Sequence, residues 1–99
     1  MTPEGRVKAA VDRVLTEHAF NRGGLWTFKP VQSGYGKRAL DYLCCVRGHM
    51  FAIETKALEK DLTLLQRACA RDIYKAGGTV WFIRNPHTVK VFAKWLEER

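Results

Sequence analysis

The sequence predicts an α/β domain with a mixed β-sheet, the element order α-β-β-β-α-β-α and helices on both faces. Four short apolar runs rich in Tyr, Val, Phe, Ile and Cys are typical of strands. Segments with apolar residues at helical spacing lie before, between and after them. Only a Gly-containing turn separates the second run from the third, whereas a whole helix separates the third from the fourth. The second and third strands should therefore form a hairpin, and the fourth should lie parallel in the same sheet.

The first helix should begin with Thr2 as its N-cap and Pro3 at its first helical position, and continue for about sixteen residues. Residues 21–24, Asn-Arg-Gly-Gly, should end it. The run at 25–31 predicts the first strand, which Pro30 should terminate because proline donates no hydrogen bond to a sheet.

A β-hairpin is predicted by the apolar runs 40–46 and 50–56, which flank Arg47-Gly48. A two-residue turn pairs position 46 with position 49, and each further pair lies one residue outward on both strands. Both strands are apolar on both faces, as in strands that helices cover on both sides. Arg47 is unfavourable for a type I′ turn, and a bulged turn would shift the register by one residue.

The hairpin register places Asp41 directly opposite Glu54, with Cβ atoms about 4.5–5.5 Å apart. Lys56 should share their face, because side chains alternate along a strand. The repulsion of the two acids would be on the order of 3 kcal/mol at an effective dielectric near 20. A hard cation such as Mg²⁺, which needs only one or two carboxylates, would remove it. The alternative is a pair of strand-end acids neutralised by Lys56 and solvent.

The second half of the chain predicts a helix, a strand and a helix. Thr63 and Gln66 should begin a helix that ends near Ala76. The fully apolar run 79–84 should be the fourth strand, and Asn85 should cap the last helix.

Length, charge and cysteine content restrict the class of protein. The 99 residues fit a single domain over 1–99. A net charge of +7 favours a polyanionic partner, nucleic acid first, over a generic basic surface. No run approaches the ~18 apolar residues of a membrane span, and the N-terminus lacks the apolar core of a signal peptide. We therefore expect a soluble, intracellular protein of the cytoplasm, with three reduced cysteines.

A glycine-rich loop, QSGYGKRA at 32–39, precedes the first acid. It lacks the spacing of a Walker A loop. Its cations and backbone N–H groups could instead lie along a phosphate chain. The predicted nucleic-acid-binding residues are Ser33, Tyr35, Lys37, Arg38, Lys60 and Arg67.

Several of these motifs occur in one order along roughly residues 3–84. They are Glu4, SGYG at 33–36, Asp41, IETK at 53–56, TLLQ at 63–66 and the following helix, AGG and apolar strand. This ordered set resembles the PD-(D/E)xK nuclease superfamily, with its restriction-endonuclease-like fold, and within it the small stand-alone VRR-NUC type of phages and bacteria. One departure is Leu40, where that family usually has proline.

The resemblance implies a role for each residue of the acidic site. Asp41 and Glu54 would ligate Mg²⁺ or Mn²⁺, and the Thr55 carbonyl would add a ligand. Lys56 would orient or deprotonate the attacking water. Gln66 and Glu4 would support the site.

Two of these assignments have structural alternatives. Gln66 also completes a capping box with Thr63, which would explain it without any role at the site. Glu4 begins a helix, where an acid complements the macrodipole.

The favoured hypothesis is a Mg²⁺- or Mn²⁺-dependent DNA endonuclease that is selective for branched or junction DNA. The main alternative is a non-catalytic, basic DNA-binding or architectural module, and a partner-binding subunit of a phage complex is a third. Lys56 and Gln66 separate the first two hypotheses, because a binding module has no use for either residue beside paired acids.

A homodimer is also expected, because coordinated cutting of two strands needs two metal sites. Trp81 and Phe82 cannot both face inward on one strand, and Phe92 and Trp95 lie close together on the last helix. These aromatic residues could form an exposed patch at an interface. Alternatively, one protomer covers both faces of the strand. Trp26, like Trp81 and Trp95, is interpreted as a core or dimer contact rather than a base-stacking platform.

Overall fold

The computed structural model describes residues 1–31, 40–57 and 59–99. Three helices and four strands follow one another in the predicted order. They are α1 (Pro3–Asn21), β1 (Leu25–Phe28), β2 (Tyr42–Val46), β3 (His49–Thr55), α2 (Leu64–Lys75), β4 (Thr79–Ile83) and α3 (Pro86–Glu97). None of these described helices is both long enough and apolar enough to cross a membrane.

The four strands form one mixed sheet in the order β1-β2-β3-β4. β2 is antiparallel to both β1 and β3, and β4 is parallel to β3. This confirms the predicted hairpin and the predicted parallel crossover through α2. β1 is shorter than the predicted 25–31, because its pairing with β2 ends where Phe28 meets Leu43.

The hairpin has the predicted register. Val46 pairs with His49 next to the turn, and Tyr42 pairs with Ile53 at the far end of β2. Every side chain on the two strands therefore lies on the face that the two-residue turn requires.

Arg47 occupies an unusual backbone position for a residue with a long side chain. It has a φ of 48°, and Gly48 has a φ of 86°, so both central turn residues are left-handed as in a type I′ turn. For a residue with a side chain this conformation costs about 1–2 kcal/mol. The Arg47 guanidinium donates to the carbonyl oxygens of Arg22, Gly23 and Arg99, at 3.4, 3.5 and 3.3 Å. These contacts join the turn to the end of α1 and to the C-terminus and help to offset that strain.

One face of the sheet carries the main core, against α1 and α3. The core consists of Val11, Leu15, Tyr42, Cys44, Val46, Phe51, Ile53, Ile83, Phe92 and Leu96. Within it, the rings of Phe51, Trp81, Phe92 and Trp95 contact one another, with centroids 5.2–6.2 Å apart. Trp81, Phe92 and Trp95 are therefore internal packing residues. They do not form the exposed patch that was expected to mark a dimer interface.

The opposite face is only half covered. α2 packs on β3 and β4, which confirms that helices lie on both faces of the sheet. β1 and the adjoining part of β2 lie beyond its reach. Trp26 and Phe28 remain 55% and 48% exposed there, with nearly parallel rings whose centroids are 6.0 Å apart. Trp26 is therefore not a core residue of the protomer, because none of the described helices covers this face of β1, whereas α1 packs against the other face.

Candidate active site

Reciprocal hydrogen bonds hold the two predicted acids together, just beyond the last pair of the β2–β3 ladder. The backbone N–H of Asp41 donates to Glu54 Oε1 at 3.0 Å. In return, the backbone N–H and the hydroxyl of Thr55 donate to Asp41 Oδ2, at 3.0 and 2.6 Å. Each carboxylate thus bonds to the strand that carries the other. The two side chains are fixed beside each other rather than splayed into solvent.

Two lysines flank the acid pair. Lys56 lies 3.8 Å from Glu54 Oε2, and its side chain is only 14% exposed. Lys8 of α1 lies 3.9 Å from Asp41 Oδ1 and 3.8 Å from Glu4 Oε2. Glu4 is therefore joined to the pair through Lys8. Sequence reasoning missed Lys8, although its position four residues after Glu4 was a usable signal.

Gln66 makes a structural and a site contact at the same time. Its Oε1 accepts a hydrogen bond from the backbone N–H of Thr63 at 2.9 Å, which is one half of the capping box at the start of α2. Its Nε2 donates to Glu54 Oε2 at 2.8 Å. The cap and the site contact are therefore not alternatives, because the two ends of one amide make both.

Glu54 is an unusually buried carboxylate, with 3% of the residue exposed. Burial, and then repulsion from Asp41, raise the pKa of Glu54 to about 7. The hydrogen bond from Asp41 N–H and the charge of Lys56 oppose this rise without cancelling it. The site is therefore short of positive charge when Glu54 is ionised.

The acid pair has the donor chemistry of a magnesium or manganese site. Its free lone pairs are carboxylate oxygens, which hard cations prefer, and Mg²⁺ keeps most of its waters when one or two carboxylates hold it. Over residues 1–31, 40–57 and 59–99 there is no group of three or more His, Cys, Asp or Glu side chains suited to a metal. Asp41 and Glu54 would therefore offer such an ion only two side-chain ligands, a number that suffices for a Mg²⁺ ion that keeps its waters. The role of the Thr55 carbonyl stays a prediction.

The predicted DNA-binding residues are only partly described. Ser33, Tyr35, Lys37 and Arg38 fall within 32–39, outside the described residues. Lys60 is exposed, just after the strand that ends at the acid site. Arg67 is exposed and pairs with Asp61 at 2.8 Å. A phosphate would compete with that pair, which is worth little on an open surface.

Comparison with solved structures gives the fold an independent context. The chain superposes on a structure described as a VRR_NUC domain with a TM-score of 0.75 and 21% sequence identity. The match covers 95% of this chain and 97% of the other. No protein-family model and no curated protein matches the sequence. The fold is therefore that of the VRR-NUC domain type, as the ordered motifs predicted.

The raised pKa of Glu54 predicts an unusual pH dependence of stability in metal-free protein. The folded protein holds the Glu54 proton up to about pH 7, whereas the unfolded chain loses it near 4.5. The folded state therefore binds more protons between these values, and its free energy of unfolding should fall as pH rises, by about 3 kcal/mol in total. Below pH 4.5 and above pH 7 this contribution should be constant.

Urea denaturation in EDTA, at intervals from pH 4 to pH 8, would measure this effect. Glu54→Gln is the matched control, because it removes the titrating group and leaves every other one in place. Across the window, the free energy of unfolding of the wild type should fall relative to that of Glu54→Gln, by about 3 kcal/mol. Parallel curves would show that Glu54 titrates normally.

Proposed function

We propose that the protein is a Mg²⁺- or Mn²⁺-dependent DNA endonuclease that hydrolyses phosphodiester bonds and prefers branched or junction DNA. The observation that carries this proposal is the pairing of buried Glu54 with half-buried Asp41, with Lys56 and Gln66 against Glu54. A structural acid pair would be expected at the surface, where water screens the repulsion. The likeness of the fold to a VRR_NUC domain and the net charge of +7 support the same function.

Each side chain of the site would have its own role in the reaction. Asp41 and Glu54 would hold the metal, and their hydrogen bonds from Thr55 and Gln66 would keep their oxygens in place. A divalent metal supplies charge neutralisation at the phosphate and a water of lowered pKa when it is bound. Lys56 Nζ, beside Glu54, would orient the attacking water or take its proton. Glu4, held through Lys8, would complete the acidic environment at the helix end of the site.

The acids give the most direct test. Asp41→Asn and Glu54→Gln should each abolish cleavage of duplex, flap and four-way junction substrates in Mg²⁺ or Mn²⁺, because each change removes metal-ligand charge. Their affinity for DNA should be intact or slightly raised, because a negative charge next to phosphate is also removed. Gel assays of cleavage, with binding measured in EDTA, would follow both effects. Unchanged cleavage in both variants would refute the nuclease proposal.

The two contacts of Gln66 can be separated by comparing it with its capping partner. Thr63→Ala removes part of the cap, at about 1 kcal/mol of stability, and leaves the bond from Gln66 to Glu54 available. Gln66→Ala removes both. Both variants should lose stability, but only Gln66→Ala should reduce kcat, at a temperature where both are folded. Equal kcat values in the two variants would show that Gln66 acts only as a cap.

We also propose that the protein acts as a homodimer, with two acid sites related by symmetry. The apolar surface available for contact is the open half of the sheet at Trp26 and Phe28, continued by Met50, which is 46% exposed. The aromatic residues of β4 and α3, which the sequence predicts at the interface, pack internally. We therefore propose this surface in their place.

Light scattering at micromolar concentration tests the dimer. The wild-type mass should be twice the 11.3 kDa of one chain, and Trp26→Ser with Phe28→Ser should give a monomer. Phe20→Ser is the control, because Phe20 is 89% exposed but belongs to α1, which packs on the opposite face of the sheet. A monomeric wild type with full activity would contradict the dimer.

A further inference from the structure

A groove of about 460 Å³ opens between the first turns of α1 and α3. Its floor is apolar and includes Val7 of α1 and Val89 of α3. Its rim carries three cations, Arg6, Arg84 and Lys90. The volume lies in the range of small-ligand sites. An apolar floor with a cationic rim suits a ligand that combines a flat apolar part with negative charge.

The groove lies next to the acid site. Ala57, which lines it, directly follows Lys56 in the chain. The backbone N–H of Lys56 donates to the carbonyl oxygen of Ile83 at 3.0 Å, which holds the ends of β3 and β4 together. α1 contributes to both places, because Glu4 and Lys8 face the acid pair while Arg6 and Val7 line the groove. A nucleic acid strand at the acid pair would therefore pass the mouth of the groove.

The rim gives the groove a net positive charge. Among the described residues, no carboxylate pairs with the side chain of Arg6 or Lys90. The Arg84 guanidinium lies 4.4 Å from the centre of the Phe82 ring, which positions it at the end of β4. Phosphate is the anion that a DNA strand brings to such a rim.

We propose that this groove binds one unpaired nucleotide of the substrate strand, next to the cleaved bond. The base lies against the apolar floor, and Arg6 and Lys90 contact the flanking phosphates. A base in an intact duplex is stacked and paired on both sides, so it cannot enter. The proposal rests on the proposed function only in taking the acid pair as the place of cleavage, and it defines the substrate class as DNA with an unpaired nucleotide there.

Fluorescence anisotropy in EDTA separates binding from cleavage. Three labelled probes are compared: a blunt duplex, the same duplex with a single-stranded overhang, and that overhang with its bases removed as abasic sites. The normal overhang should bind about fivefold or more tightly than the abasic one, the ratio expected when about 40 Å² of apolar base surface is buried at about 25 cal/mol per Å². Equal affinity for normal and abasic overhangs would overturn the proposal.

Variants in the groove test whether the preference for the normal overhang over the abasic one arises there. Ala10→Phe should fill the groove and abolish the advantage of the normal overhang over the abasic one, with the fold checked by circular dichroism. If Ala10→Phe is folded and keeps the advantage, the base binds elsewhere and the proposal fails. If Ala10→Phe does not fold, the smaller change Ala10→Leu is used instead. Loss of the preference for the normal overhang supports the groove, and retention of that preference overturns the proposal.

The cations at the rim are tested by comparing two double variants that remove the same charge. Arg6→Ala with Lys90→Ala should weaken binding of every probe and flatten the dependence of log affinity on log salt by about two contacts, at 0.7–0.9 per contact. Arg13→Ala with Lys94→Ala removes the same charge from the same helices, farther from the groove, and should change the slope less. Equal slopes for the two double variants would overturn the rim assignment. If the protein prefers the normal overhang but cleaves no DNA in Mg²⁺ or Mn²⁺, the proposed nuclease function is refuted and the proposed nucleotide-binding groove is retained.

Discussion

The site depends on the exchange of hydrogen bonds between the two acids and each other's strand. Asp41 and Glu54 repel each other, and burial raises the pKa of Glu54 to about 7. The pair persists because, among the described residues, four groups donate to the carboxylates: the backbone N–H groups of Asp41 and Thr55, the Thr55 hydroxyl and the Gln66 side-chain amide. Hydrogen bonds to charged groups are worth about 1.5–3 kcal/mol each, comparable to the repulsion. The fold can therefore hold two acids together before any cation arrives.

The hairpin turn, at the other end of the strands, determines whether this exchange can form. A slip of one residue would move Glu54 to the face covered by α1 and α3. Arg47 keeps the two-residue turn in its left-handed conformation through contacts with the end of α1 and the C-terminus. A residue far from the acids thus controls their geometry, and its side chain matters for a reason that local turn preferences do not show.

The three described helices have different roles around this hairpin. α1 and α3 enclose the core on one face and leave a basic groove between their first turns, next to the acid site. α2 covers half of the other face and positions Gln66 on Glu54. The uncovered half leaves Trp26 and Phe28 exposed. The acid site therefore lies between two unequal surfaces, an apolar one for which a second protomer is proposed and a cationic one for which a nucleotide is proposed.

The sequence by itself determined the order of the elements, the mixed sheet, the register of the hairpin and the place of Asp41, Glu54 and Lys56. These follow from local periodicity and from the pairing that a two-residue turn imposes on its strands. The tertiary structure alone decided what covers each face. It placed Trp81 in the core and left Trp26 exposed, brought Lys8 to Asp41, and let Gln66 act as cap and site contact together. Those outcomes depend on how separate elements pack, because a strand that is apolar on both faces does not specify which helix covers it or how far that helix reaches.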